Sequence, residues 1–287
     1  MCLLFLYVND DPDENGYRLV LANNRDELWD RPTDPVNYRD DNKWVGGADL
    51  EPGREGGTWL GMSTNGKVAI LLNILSSQRL DAKGRGSLVR DFLTQDISAE
   101  EYTKKIAESA SQYNPFHLLT FDLRDKCHVH SVTFCEKTTT RKSTSGYHGS
   151  DNGRDLERPW KKREEGQKKF SNIVKNYGTI DQKDQLVENI INLLNDKSCH
   201  LPDETLKEQI IKTGRTDPSI IADSIKARSS VFVYIPTIRY GTRTNTVILV
   251  DKGGNCEYVE RTLQTPVDSE NFQWETKKLQ FKLTDDL

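Results

Sequence analysis

The residues best equipped for chemistry lie within the first 27 positions. Cys2 precedes an apolar run, Leu3 to Val8, and a second run from Tyr17 to Ala22 leads into Asn23, Asn24, Arg25, Asp26 and Glu27. If Met1 is removed, Cys2 carries a thiol and an α-amine a few bonds apart, a nucleophile with its own base. An α-amine titrates near pH ~8 and a thiol near ~8.5, so either is partly deprotonated close to neutrality. A neighbouring strand can bring the cation and carboxylates of the second run beside that thiol. Two further polar clusters accompany it: Asn73 after an apolar strand, and Gly241 to Thr246, which contains Arg243 and Asn245. Such a set can be a structural network that satisfies sheet edges. It can equally be a pocket in which Arg25 or Arg243 grips a carboxylate by a two-pronged hydrogen bond, with Asn73 and Asn245 aimed at the same ligand.

The elements that must position these residues follow from periodicity. Leu3–Val8 is a continuous apolar run, as in a strand buried on both faces, and Asp10–Gly16 turns the chain into Tyr17–Ala22. Trp44–Gly47, Thr58–Met62 and Lys67–Asn73 read as further strands, and the glycines between them predict tight turns and close backbone approaches. After Gly86 the period becomes helical through Leu88, Val89, Phe92 and Leu93. Ser98 with Glu101 then forms a capping box that opens a second helix through about Ser109. Phe116–Asp122 and His128–Phe134 alternate as strands. A long helix follows Trp160, and Leu186 to Leu194 marks another. Ser230–Ile235, Thr246–Val250 and Tyr258–Leu263 are the last strands, with a hairpin turn at Asp251–Gly254; Lys197–Pro218 reads as a surface excursion. Strand blocks alternating with helix blocks predict an α+β sandwich in a single domain spanning residues 1–287.

Composition narrows the function classes. Forty basic and forty-four acidic residues, with no long block of one sign, argue against a dedicated nucleic-acid binder. Five cysteines without repeating spacing do not form a disulfide framework, so a reducing compartment is expected. Residues 2–8 are too few to span a membrane, and neither a cleavage site nor an Arg-rich presequence follows, so a cytoplasmic protein without a transmembrane segment is predicted. Cys127, His128 and His130 lie on opposing strand faces and no Cys-x-x-Cys occurs, so no structural metal is expected. Walker, dinucleotide and Gly-x-Ser-x-Gly signatures are missing as well.

Several motifs in order carry a resemblance. Met1-Cys2, Asn24-Arg25-Asp26-Glu27, Arg31-Pro32, Glu55 to Gly61, Gly84-Arg85-Gly86, Pro159-Trp160, Tyr240 to Thr246 and Trp274-Glu275-Thr276 closely resemble the transport and Golgi organisation 2, or NRDE, family. The resemblance spans nearly the whole chain. It implies haem trafficking from haem-rich organelles or mitochondria to cytosolic users, in the company of haem-donor and haem-acceptor proteins. It also implies secretory-pathway and lipid roles, with Golgi and mitochondrial as well as cytoplasmic locations.

The resemblance further implies a likeness in architecture to N-terminal-nucleophile hydrolases, and with it a four-layer αββα sandwich with Cys2 at the mouth of a cleft. On that pattern Cys2 matches the nucleophile and Asp26 the residue that holds its amine. Asn73 and Asn152 supply an oxyanion hole, and Arg243 matches a late Arg. The pattern's catalytic Arg is replaced by Asn23, and Arg25, one residue before Asp26, points to the opposite face. The favoured expectation is therefore a non-enzymatic haem carrier. Cys2 or His117 is its candidate axial ligand, with His148 behind them, and Arg25, Arg243 and Asn245 receive the anionic groups. His117, in an apolar strand, reads more readily as a satisfied core residue. The alternatives are an N-terminal Cys hydrolase of an amide or acyl thioester and a non-catalytic factor in Golgi organisation and lipid homeostasis.

Overall fold

The computed structural model describes residues 2–214 and 217–284; Met1, whose removal bears on the hydrolase reading, lies outside them. The strands are β1 (Leu3–Val8), β2 (Tyr17–Leu28), β3 (Thr33–Arg39), β4 (Trp44–Asp49), β5 (Leu60–Ser63), β6 (Lys67–Asn73), β7 (Phe116–Asp122), β8 (Val129–Phe134), β9 (Thr138–Ser143), β10 (Gly146–Ser150), β11 (Tyr234–Ile235), β12 (Tyr240–Asp251), β13 (Asn255–Leu263) and β14 (Trp274–Lys282). The helices are α1 (Ser87–Thr94), α2 (Ala99–Ser109), α3 (Lys161–Tyr177), α4 (Lys183–Leu194), α5 (Glu204–Lys212) and α6 (Pro218–Arg228).

Two seven-stranded sheets form. One runs β10-β1-β2-β12-β13-β14 with β11 paired to β12, and the other runs β3 through β9 in chain order. Strand alternation sorts the side chains into layers. Leu4, Leu6 and Val8 of β1 meet Val68, Ile70 and Leu72 of β6 between the sheets. Leu3 and Phe5 face the other way, toward Phe170 of α3 and Leu186 and Ile190 of α4. On the far side Ala69 and Leu71 receive Leu88, Phe92 and Tyr102 from α1 and α2. The result is the expected four-layer αββα sandwich.

The helix starts and the hairpin turn at Asp251–Gly254 fall where local signals place them. Ser98 and Glu101 bond reciprocally as a capping box. Two strand expectations are corrected. β2 does not stop at Ala22 but continues through Leu28, because β12 pairs with it as far as Tyr240 opposite Leu28. Conversely, the strand expected at Ser230–Ile235 is reduced to Tyr234–Ile235, its buried preceding residues packing as irregular chain. The Lys197–Pro218 stretch is likewise corrected from a surface excursion: it contains α5, capped by Asp203, which accepts from Leu206 N–H, and α5 buries Leu206 and Ile210 against Trp160.

Lys67 is a buried cation that periodicity assigned simply to a strand. Its Nζ donates to the carbonyls of Gln95 at 2.5 Å and Ile97 at 2.8 Å and lies 5.1 Å from the Phe92 ring. It therefore donates to two carbonyls of the chain that joins α1 to α2, just past the end of α1. Lys67→Ala should cost about 1–3 kcal/mol in urea denaturation by removing the ammonium from the Ile97 carbonyl and leaving the Gln95 carbonyl only its bond from Ile97 N–H; an unchanged midpoint would show that water replaces the ammonium.

Candidate functional site

The site is set by strand register. Leu3 pairs with Asn24 and Leu4 with Asn23, so one step further places Cys2 opposite Arg25. Leu19 and Leu21 face the inter-sheet core, and by alternation Asn23, Arg25 and Glu27 share that face. Asn24 and Asp26 take the helix side. Arg25 does point away from Asp26, as its spacing predicts, but this puts it on the face of Cys2. The side-chain pair at the cleft is thus thiol and guanidinium.

Cys2 and Arg25 lie in a cleft of about 760 Å³ at one end of the sandwich. Its walls include Trp59, Leu71, Ile74 and Leu75, and its rim carries Arg31, Arg54, Arg79, Lys83, Arg85 and Arg90. Arg25 stacks 4.1 Å from the Trp59 ring and donates to Thr33 Oγ1 at 3.1 Å. Arg31 is held by a two-pronged bond to Asp49, at 3.0 and 2.7 Å. Arg85 donates to the Pro115 carbonyl at 2.7 Å, and burial, with Arg54 nearby, lowers it to about 10.

The charges are tuned by burial. Burial pushes the Cys2 thiol up, reinforced by Asp26, while the Asp26 backbone N–H and the Arg25 cation pull it down. Asp26 is itself raised by burial and opposed by Lys162 and by the Thr242 hydroxyl, which donates to its Oδ1 at 2.6 Å. Lys162, fully buried, donates to the Ser230 carbonyl at 3.2 Å and is lowered by burial. Sequence reasoning missed this lysine and most of the arginine rim; the Arg31-Pro32 and Gly84-Arg85-Gly86 motifs were the only signals for the rim.

Of the other predicted residues, Asp26 and Asn73 also line the cleft, whereas Asn152, Arg243, Asn245, His117 and His148 do not. Asn73 lines it, and its carbonyl accepts from Asn152 Nδ2; Asn152 is buried behind, outside the lining. Arg243 sits at a register shift between Thr242 and Thr244, where β12 carries one residue more than β2. It is also outside the lining and donates to the carbonyls of Leu28, at 3.1 Å, and Arg31. Asn245 faces the helices: it donates to Asn24 Oδ1 at 2.7 Å and accepts from Asn195 at 2.9 Å. His117 is fully buried, with Nδ1 2.8 Å from Thr133 Oγ1 and Nε2 2.7 Å from the Gly153 carbonyl. Burial lowers it to about 4, so it is neutral at pH 7 with both nitrogens engaged. His148 is 2.9 Å from the Thr144 carbonyl. Among the described residues no group of three or more His, Cys, Asp or Glu can hold a metal.

Gly86 in the cleft wall and Glu260 between the sheets each make a measurable prediction. A Cβ on Gly86 would lie 2.8 Å from the Gly57 Cα, and Thr58 N–H donates to the Gly86 carbonyl at 3.1 Å. Gly86→Ala should therefore lower stability by about 1–3 kcal/mol in thermal melts; a neutral result would mean the two loops part freely. Glu260, between the sheets, accepts from Val36 N–H at 2.7 Å, and burial raises it to about 7 despite that bond and Arg25. It binds its proton more tightly folded than unfolded, so its contribution is complete below the ordinary carboxylate range and lost as pH rises through about 7. Glu260→Gln should gain on the parent by roughly 3 kcal/mol between about pH 4 and about pH 8; parallel stability curves would refute this.

The sequence model described as Transport and Golgi organisation 2 matches residues 1–265. The human "Transport and Golgi organization protein 2 homolog" is 35% identical over 99% of both chains, as is the mouse homolog. The Drosophila melanogaster "Transport and Golgi organization protein 2" is 30% identical over 92% of each chain. Among solved structures, a Caenorhabditis elegans N-acylethanolamine-hydrolyzing acid amidase ortholog aligns with 86% of this chain and 92% of its own, at 10% identity and a TM-score of 0.49. A mutant conjugated bile acid hydrolase from Clostridium perfringens aligns over 97% of both, at 12% identity and a TM-score of 0.44. With its motifs in order across nearly the whole length and relatives at this identity, the chain belongs to the transport and Golgi organisation 2 family.

Proposed function

We propose that the cleft carries an amphipathic anion, and that haem is the cargo best suited to its parts. The observation that carries this reading is the placement of the Cys2 thiol opposite Arg25 on one wall of a cleft whose rim is rich in arginine. Trp59, Leu71, Ile74 and Leu75 offer a flat ring and aliphatic contacts for a macrocycle. Arg25 and the rim arginines offer forked donors for propionates. The volume of about 760 Å³ lies in the range of small-molecule sites. Burial holds the thiol protonated, so iron must displace a proton to bind it. That makes the axial bond weak and pH-dependent, which suits a carrier that has to hand its cargo from a donor protein to an acceptor.

A second reading, an N-terminal Cys hydrolase of an amide or acyl thioester, draws on the Asp26 backbone N–H directed at the thiol and on Asn73 in the same cleft. The position of the absent catalytic arginine is filled by Asn23, which donates to the Leu3 carbonyl at 3.0 Å. A role in Golgi organisation has the relatives' names as its support.

Titration of the purified protein with haem should give a saturable spectral change. Cys2→Ala should alter the spectrum of the bound haem, and Arg25→Ala should weaken binding roughly tenfold or more. A linear, non-saturating response, or variants that titrate like the parent, would defeat the carrier reading. A burst of product with an acyl adduct on Cys2 would replace it with the hydrolase.

A further inference from the structure

The mouth of the cleft carries an apolar side chain that the interior does not use. Leu80 is 99% exposed, the most exposed large hydrophobic side chain among the described residues. The chain around it is firmly held. Asn114 accepts from the Arg79 backbone N–H at 2.7 Å and donates to the Arg79 carbonyl at 3.0 Å. Lys83 N–H donates to the Gln112 carbonyl at 2.9 Å, and Ala82 is buried between these anchors. A leucine projected into water from an anchored loop is an exposed apolar group that folding has not tucked away.

Its surroundings are cationic. Arg79 and Lys83 flank it and Arg54 stands on the same cleft, all exposed. Glu55 in the lining and Asp81 in the loop are the exposed acids beside them. Arg31 and Asp49 neutralise one another. Leu50, 46% exposed, adjoins the cleft residues Asp49 and Gly53, and adds a second aliphatic group near the rim. Aliphatic tips among cations complement a surface that is negative outside and apolar just beneath, as anionic phospholipid headgroups are.

We propose that the cleft mouth docks on an anionic phospholipid bilayer, Leu80 entering the headgroup–acyl boundary while Arg54, Arg79 and Lys83 meet lipid phosphates. Docking in this orientation places the cleft opening against the membrane, where an amphipathic ligand can pass between bilayer and protein without crossing water. The docking does not depend on which ligand the cleft holds, so it stands or falls separately from haem binding.

Co-sedimentation of the full chain with phosphatidylcholine vesicles, with and without phosphatidylserine, tests it. The protein should partition onto the phosphatidylserine vesicles at low salt and dissociate at high salt. Leu80→Ser should reduce partitioning roughly tenfold or more. Arg54→Ala with Lys83→Ala should reduce it by about thirty-fold, each cation near an anionic surface contributing comparably. Leu201→Ser, at an exposed leucine outside the cleft, is the control and should bind like the parent, with circular dichroism verifying that every variant is folded. Equal partitioning onto neutral and anionic vesicles, no partitioning, or the same loss from Leu80→Ser as from Leu201→Ser would each overturn the proposal.

Discussion

The pairing of β2 with β12 is the constraint on which the site depends. It runs from Tyr17 opposite Asp251 to Leu28 opposite Tyr240, crossing the middle of the first sheet. Strand β1 lies on one flank of this pair and β13 on the other, so its register decides which face every neighbouring side chain takes. A one-residue slip would send the Arg25 side chain to the helix side and turn that of Asp26 onto the face of Cys2. Against such a slip stand Leu19 and Leu21, which need the inter-sheet core, and Val20 and Ala22, which need the helix layer. Asn24 adds polar specificity: it donates to the Leu194 and Val231 carbonyls and accepts from Asn245, so a shifted Asn24 would leave buried groups unpaired.

At the end of this pairing the chain spends stability on charge. Arg25, Asp26, Lys162 and Arg243 are all withdrawn from water, and each is compensated locally rather than by a close ion pair alone. Arg25 has a ring and a hydroxyl, Lys162 a carbonyl, and Arg243 two carbonyls at the register shift. Buried ions held in this way contribute little net stability. Their organisation is better understood as positioning: Arg243 ties Leu28 and Arg31 together, and Arg31 in turn grips Asp49 across the cleft. The two sheets are thereby joined at the wall of the cleft, and the thiol faces a preset electrostatic environment.

Much of the layer structure was legible in the residues because it rests on local signals. The β1 run reads as buried on both faces because no position in it is polar. α2 announces itself through Ser98 and Glu101, and the β12–β13 turn through Asp251 to Gly254. The extension of β2 was hidden because Asn, Asp and Glu are poor strand formers; pairing with β12 and the Asn24 network outweigh that preference. The opposite holds at Ser230–Val233, where β-branched and aromatic residues pack in irregular chain with Val231 and Phe232 buried. The arginine rim was hidden for another reason, since Arg31, Arg54 and the pair Arg79 and Arg85 come from three separate loops that no sequence spacing connects.

The sequence by itself determined the alternation of strand and helix blocks, the family, and the chemical types at the site: a thiol, a guanidinium and a carboxylate near the start of the chain. It also determined that Arg25 and Asp26 oppose one another, because a strand has period two. Only the tertiary structure decided which of them shares a face with Cys2, since that depends on the register between β1 and β2 and on two cores competing for alternate side chains. The same packing took His117, Arg243 and Asn245 out of the cleft lining and brought distant arginines to its rim. Chemistry is written in residue types, but its assembly is a long-range property of how buried faces are satisfied.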